Sequence, residues 1–251
     1  MMLTITSQQN PHVKLVKSLE DKKARREHGL FVAEGLDMLE RAAACGWEPE
    51  LYLATKPAWI WDAHKPLIVS DKIMSTLSAQ NNAHDVLATF KQRWQPRPGK
   101  DGLWLALEDI RDPGNLGTII RTADAAGAAG IILVGDCCDP YAPECIRATT
   151  GSIFAMPLVK MPTPQFVEFL SGWQGESVGT VMGAKQSYRR EYKLPTLIVM
   201  GSESRGLTAP VSQACKTLVS IPMREGVESL NVAAATALLL FEITPRHSKQ
   251  E

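Results

Sequence analysis

Short runs of Val, Ile and Leu alternate with helical patterns over the last 150 or so residues of the chain. "LWLALE" (103–108), "GIILVG" (130–135), "FAMPLVK" (154–160), "SVGTVMG" (177–183), "TLIVMG" (196–201) and "TLVSIP" (217–222) read as strands. Between them, "NLGTIIRTADAAGA" (115–128), "PECIRATTG" (143–151), "TPQFVEFLSG" (163–172), "GLTAPVSQAC" (206–215) and "SLNVAAATALLLFE" (229–242) carry helical spacing. Continuously apolar strands followed by helices predict a parallel sheet covered on both faces. The first ninety residues mix the two patterns less regularly. "PHVKLVKSLEDKKARREHG" (11–29) and "GLDMLERAAACG" (35–46) read as helices, and "LFVAE", "ELYLA", "PLIVS" and "DVLATFK" as strands. Between the two regions lies "QRWQPRPGKDG" (92–102), with two prolines and two glycines, which reads as a linker. The expected organisation is a small α/β domain over residues 1–92, a linker over 93–102, and a larger α/β domain over 103–251.

Ligands of open parallel sheets sit beyond the carboxyl ends of the strands. That points to the loops after Glu108, Met200 and Pro222. The first runs into a helix with Asn115 at its mouth, Leu116, Ile119, Ile120 and Ala123 as an apolar stripe, and Arg121 close to the buried side. A purely structural account is available: Asn115 caps the helix and Arg121 pairs with Asp124. The second loop is "MGSESRGL", polar and bounded by Gly201 and Gly206, which permit positive φ or close approach of a ligand. The third, "IPMREGVESLNVAAATALLL", enters an apolar helix through Ser229, a plausible cap, and Asn231, a second polar residue that capping by Ser229 leaves unexplained.

Taken together, N-x-G-x-x-x-R at Asn115–Arg121, G-x-E-x-x-G at Gly201–Gly206 and I-P-M…S-L-N-V-A at Ile221–Ala233 resemble the three motifs of the SpoU/TrmH family of RNA ribose 2'-O-methyltransferases, in the SPOUT superfamily. The first segment is similar to the family's ribosomal-protein-like substrate-binding domain, with Asn10, Lys14, Lys23, Arg25, Gly29, Phe31, Glu34 and Gly35 on its pattern. The resemblance implies a parallel-sheet SPOUT domain with a C-terminal trefoil knot, against the general rule that chains do not knot. It implies S-adenosylmethionine as methyl donor, held around Met200, Gly201, Ile221, Met223 and Leu230. It also implies a site built from Asn115, Arg121, Glu203, Ser229 and Asn231, and a homodimer. A guanidinium stays protonated at any physiological pH, so Arg121 is expected to act as a fixed positive charge beside the reacting oxygen rather than as a base.

Charge and cysteine content narrow the rest. The 251 residues hold 27 basic and 27 acidic side chains, so any RNA surface must be local. The candidate is Lys14, Lys22, Lys23, Arg25 and Arg26. A run of this kind is ordinarily a solvated helix face; beside a methyltransferase domain it becomes a phosphate-binding patch. Ribosomal RNA is the expected substrate ahead of transfer RNA. The five cysteines form no C-x-x-C pair, so reduced thiols and no metal site are expected. "MMLTITSQQNPH" lacks an apolar signal core and no run is long enough for a membrane span, giving a cytoplasmic expectation. An ordinary Rossmann methyltransferase lacks its G-x-G-x-G turn here. A non-catalytic RNA-binding or ribosome-assembly protein that retains the fold is the competing reading, and binding of the methyl donor separates the two.

Overall fold

The computed structural model describes residues 4–78, 84–227 and 229–244. In chain order the elements are α1 (Pro11–Ser18), α2 (Lys22–His28), β1 (Leu30–Glu34), α3 (Leu36–Ala44), β2 (Leu51–Ala54), β3 (Leu67–Ile68), α4 (Asp71–Leu77), β4 (Val86–Lys91), β5 (Leu103–Glu108) and α5 (Pro113–Ala125). They continue as β6 (Gly130–Val134), α6 (Pro143–Thr149), β7 (Leu158–Met161), α7 (Thr163–Gly172), β8 (Glu176–Thr180), β9 (Gln186–Ser187), β10 (Thr196–Met200), α8 (Ala209–Ala214), β11 (Thr217–Ser220) and α9 (Val232–Ile243). Two compact units result. One holds residues 1–92 with 139–155, the other residues 93–138 with 156–251.

The first unit has a four-stranded sheet ordered β1-β4-β2-β3. β4 pairs antiparallel with both β1 and β2, and β3 joins β2 in parallel. The single helix expected over 11–29 is two. Asp21 interrupts it and caps α2, accepting from the backbone amides of Lys23 (2.7 Å) and Ala24 (3.2 Å). Gly29, at φ +64°, then ends α2 in the left-handed conformation. "PLIVS" yields only the two-residue strand Leu67–Ile68.

The larger difference from the sequence pattern is the segment 139–155. It lies between strands of the second region, yet it completes the core of the first unit. Tyr141 packs on Phe31 with ring centroids 4.7 Å apart, and Phe154 packs on Phe90 at 5.0 Å and Trp47 at 5.2 Å. Trp47 Nε1 donates to the Phe154 carbonyl at 2.8 Å. Aromatic pairs of this kind contribute about 0.5–1.5 kcal/mol each beyond the area they bury.

The same segment accounts for Arg25, which the sequence places among RNA contacts. Arg25 is 3% exposed. Its Nε and Nη2 reach Asp139 Oδ2 at 2.9 and 2.8 Å, and Nη1 donates to the carbonyls of Leu19 and Glu20 at 2.9 and 2.8 Å. This guanidinium is withdrawn from solvent and fully engaged, so Arg25 holds the unit together and is corrected from an RNA ligand to a structural residue. Lys14, Lys22, Lys23 and Arg26 are exposed.

The second unit is built on a seven-stranded, wholly parallel sheet in the order β7-β6-β5-β10-β8-β11-β9. β5, β6 and β10 are buried at every position, as continuous Val/Ile/Leu runs require when both faces are covered. The chain leaves β5 towards β6 and β7, then returns to lay β10 on the other side of β5. The order therefore reverses between β5 and β10, the kind of switch point beside which open parallel sheets bind ligands. α5 and α9 pack against each other on this unit. No helix among the described residues is long and apolar enough to cross a membrane.

Breaking a buried ion pair by removing one partner costs about 3–5 kcal/mol. Arg25→Ala is expected to lower unfolding stability by that amount in urea titrations monitored by tryptophan fluorescence. The exposed neighbour Arg26→Ala is expected to stay within about 0.5 kcal/mol of the parent.

Candidate active site

Three loops meet beyond the carboxyl edge of the second sheet, and the way they are tied together begins with helix capping. At the start of α5, Asp112 is the cap: its Oδ1 accepts from the Asn115 backbone amide at 2.6 Å, with Pro113 in the first turn. The structural role first available to Asn115 is thus taken by Asp112, and the Asn115 side chain is free for other partners. At α9 the cap is Asn231 and not Ser229. Asn231 Oδ1 accepts from the backbone amides of Ala233 (2.8 Å) and Ala234 (3.3 Å), while Ser229 is exposed two residues before that cap.

Capping fixes which way the Asn231 amide faces, because only its oxygen accepts from an N–H. Its Nδ2 therefore points outward, donating to Asn115 Oδ1 at 2.9 Å. Asn115 is oriented in turn, and its Nδ2 donates to Glu203 Oε1 at 3.1 Å. Each link accepts a single orientation of the next. The result is a chain running from the mouth of α9 through the first turn of α5 to the loop after β10.

That loop is held from its own side. Ser202 and Gly206 form a two-way backbone bridge, with N–O distances of 3.2 and 2.9 Å. The turn folds back so tightly that a Cβ on Gly201 would stand 2.0 Å from the Gly206 carbonyl carbon. Behind it, the fully buried Glu108 at the end of β5 accepts from Thr208 twice: from the backbone amide at 2.9 Å and from Oγ1 at 2.7 Å. Two donors satisfy a carboxylate that would otherwise be costly to bury. Asp109 follows at φ +55°, its Oδ1 accepting from the Asp136 amide at 2.8 Å.

Between these loops is a cleft of about 400 Å³, within the size range of small-molecule sites. Met200, Gly201, Ile221, Met223 and Leu230 line it, as do Glu203 and Ser229. Asn115 and Asn231 adjoin it through Glu203. Residues not anticipated from the sequence also contribute: Thr180 at the end of β8 and Met182 beyond it, Leu207 in the second loop, and Val219 and Ser220 on β11. β8 carries no motif. Only the sheet order, which sets β8 between β10 and β11, brings Thr180 to the site. Leu207, Val219 and Val232 supply apolar wall, while Thr180, Ser202 and Ser220 supply hydroxyls.

Arg121 does not lie on the buried side of α5. The buried stripe is Leu116, Gly117, Ile119, Ile120 and Ala123, which leaves Thr118, Arg121 and Ala125 on the solvent face. Arg121 is absent from the cleft lining and makes no hydrogen bond or ion pair among the described residues. None of the five cysteines is in a disulfide. Burial, with a smaller contribution from the charge of Glu108, pushes the Cys215 thiol up to about 12. Among the described residues no cluster of three or more His, Cys, Asp or Glu side chains forms a metal site.

Two family models match the chain. The model of the SpoU rRNA methylase family matches residues 102–241, and that of an MRM3-like substrate binding domain matches residues 10–88. An uncharacterized tRNA/rRNA methyltransferase of Synechocystis is 35% identical, covering 95% of this chain and 92% of its own. The 23S rRNA (guanosine(2553)-2'-O)-methyltransferase of Bacillus subtilis is 27% identical over 96% of this chain and 99% of its own. Among solved structures, the AdoMet-bound rRNA methyltransferase from Sinorhizobium meliloti has a TM-score of 0.88 at 37% identity, covering 96% of each chain. The SpoU methyltransferase AviRb from Streptomyces viridochromogenes, in complex with AdoMet, has a TM-score of 0.82 at 27% identity, covering 93% of this chain and 97% of its own.

The tight approach at Gly201 gives a direct test. Gly201→Ala is expected to displace the Ser202–Gly206 turn and to weaken S-adenosylmethionine binding by at least about tenfold, some 1.4 kcal/mol, in isothermal titration calorimetry. Gly172, whose Cβ would meet open space, serves as the control, and Gly172→Ala is expected to bind as the parent does.

Proposed function

The chain belongs to the SpoU rRNA methylase family and is an S-adenosylmethionine-dependent RNA ribose 2'-O-methyltransferase; from that premise we propose that it modifies ribosomal RNA, in the cytoplasm, as a homodimer. The observation that carries the reading is the hydrogen-bonded chain Asn231–Asn115–Glu203, which joins three motif-bearing loops at one cleft. The lining fits the methyl donor: apolar wall suits an adenine ring and a thioether chain, and hydroxyl and backbone groups suit the ribose and amino-acid ends. Bound S-adenosylmethionine supplies a methyl group on a positively charged sulfur. What remains for the protein is to align a weak nucleophile and to stabilise charge on its oxygen.

In this proposal Met200, Gly201, Ile221, Met223 and Leu230 hold the donor. Asn115, Glu203 and Asn231 keep the loops in register, so that they need no rearrangement when substrate arrives. Ser229, exposed beside the cleft, faces the RNA. Arg121 supplies a fixed positive charge to the ribose oxygen or to a neighbouring phosphate. Since Arg121 does not line the cleft of its own chain, it acts in the cleft of a second copy. Support for that second copy comes from α9, where Ala234, Leu238 and Phe241 form an exposed stripe at helical spacing, with Leu238 41% and Phe241 56% exposed. The family's trefoil knot belongs to the same proposal, supported by the insertion of β10 between β5 and β8. Lys22, Lys23 and Arg26, on the exposed side of α2, contact phosphates.

Removing a single preorganised donor to a developing oxyanion typically costs about 3–4 kcal/mol. Arg121→Ala is therefore expected to lower turnover by about 10²–10³-fold with donor binding unchanged, and Arg121→Lys to recover only part of it, because a point charge replaces a fork. Turnover of Arg121→Lys near that of the parent would remove the need for the fork. Mixing Arg121→Ala with Gly201→Ala chains is expected to restore activity through mixed dimers that retain one intact site, whereas a site confined to one chain restores none. Mapping 2'-O-methyl marks in total RNA from cells with and without the gene is expected to show one missing mark in ribosomal RNA. A mark lost only from transfer RNA would overturn that assignment.

A further inference from the structure

The first unit carries a second concavity that the methyl-transfer site does not use. It has a volume of about 360 Å³ and lies where the chain enters α1 and where α4 packs beside that helix. Its chemistry is one-sided. Lys14 and Lys17 stand one turn apart on the same face of α1, both exposed. Gln8 and Gln9 precede the Asn10 cap and are exposed as well. The hydroxyls of Ser18 and Thr76 donate to the carbonyls of Leu15 and Ile73, each at 2.7 Å, so their unused capacity is as acceptors. The buried Val13 contributes apolar surface. Among the described residues no acidic side chain lines the concavity.

These groups match the parts of one nucleotide. Two ammonium groups suit a phosphate, and carboxamides donate and accept along the edge of a base. Hydroxyl lone pairs accept from an exocyclic amine or a 2'-hydroxyl. A base stacked within a duplex cannot enter a notch, whereas an unpaired base can be splayed into one. On α2 the exposed cations Lys22, Lys23 and Arg26 share the helix with the carboxylate of Glu27, 3.8 Å from Lys23, and among the described residues no concavity with carboxamides stands beside them.

We propose that the notch formed by Gln8, Gln9, Lys14, Lys17 and Thr76 receives one unpaired nucleotide of the RNA substrate. Lys14 and Lys17 hold its phosphate, and the glutamine amides meet its base. The proposal rests on RNA being the substrate and adds that the first unit selects single-stranded over duplex RNA.

The test uses the full chain and two fluorescent probes of equal length, a mixed-sequence single-stranded RNA and a blunt RNA duplex, with affinities measured by anisotropy across a salt series. The parent is expected to prefer the single strand. Lys14→Ala/Lys17→Ala is expected to reduce the slope of log affinity against log salt for the single strand by about 0.7, the share of the one phosphate they hold. Gln8→Ala/Gln9→Ala is expected to weaken single-strand binding by roughly tenfold, the loss of one or two hydrogen bonds, while leaving the salt slope and duplex binding as they were. Circular dichroism confirms that each variant is folded. Unchanged single-strand affinity in either variant overturns the notch, as does an equal loss for both probes, which would indicate a surface field and no cavity. If the parent methylates ribosomal RNA while the variants bind as the parent does, only the notch fails. If the parent neither binds nor methylates RNA, the functional reading fails with it.

Discussion

A helix cap orients this site. The first amides of α9 need an acceptor, and the Asn231 oxygen provides it. Because an asparagine side chain has two different ends, satisfying the helix with one end aims the other at Asn115, and so at Glu203. Three loops separated by up to 116 residues are brought into register by groups that are polar, short and exposed. Their order is inherited from buried elements: α9 is packed on α5, and β5 and β10 lie side by side in the sheet. Exposed amide hydrogen bonds contribute little to stability on their own. What they add is direction, which a methyl transfer requires of the groups around it.

Glu108 serves the same end from below. Among the described residues no cation pairs with this buried carboxyl group, and Thr208 meets it with two donors. Strand β5 is thereby connected to the far end of the loop whose near end begins at Gly201. The loop is fixed at both ends and bridged in the middle, so the cleft wall it forms is preorganised.

Much of this was legible in the sequence, for physical reasons that can be named. Strands buried on both faces have no polar alternation, so β5, β6 and β10 stood out as apolar runs. Asn115, Gly201, Glu203 and Asn231 stand where polar or glycine residues interrupt apolar helices and strand ends, a weak signal at each position taken alone; it is their joint resemblance to three family motifs that singles them out. Register within a helix was harder to read. Arg121 is one residue from Ile120, yet 100° of rotation sends it to solvent. Which of Ser229 and Asn231 caps α9 turns on where the helix starts, a matter of two residues. Arg25 and Arg26 are neighbours of identical type, and only the arrival of Asp139 from more than a hundred positions away separates a buried clamp from a surface cation. The contributions of Thr180 and Ser220 followed from strand order, which no local pattern encodes.

The excursion of residues 139–155 has a consequence for how the molecule comes to be made. A nascent chain that has emerged only as far as Gln92 has completed four strands, yet it leaves Phe31, Trp47 and Phe90 without the rings of Tyr141 and Phe154. Arg25 is meanwhile without its carboxylate. Amino-terminal segments commonly fold first during translation. Here the aromatic core of the earlier segment is completed only after β5, α5 and β6 have been synthesised and residues 139–155 have emerged to pack against it. Synthesis order and folding order are thus decoupled, and a fragment cut at the apparent linker inherits a vacancy where its most aromatic surface should be covered.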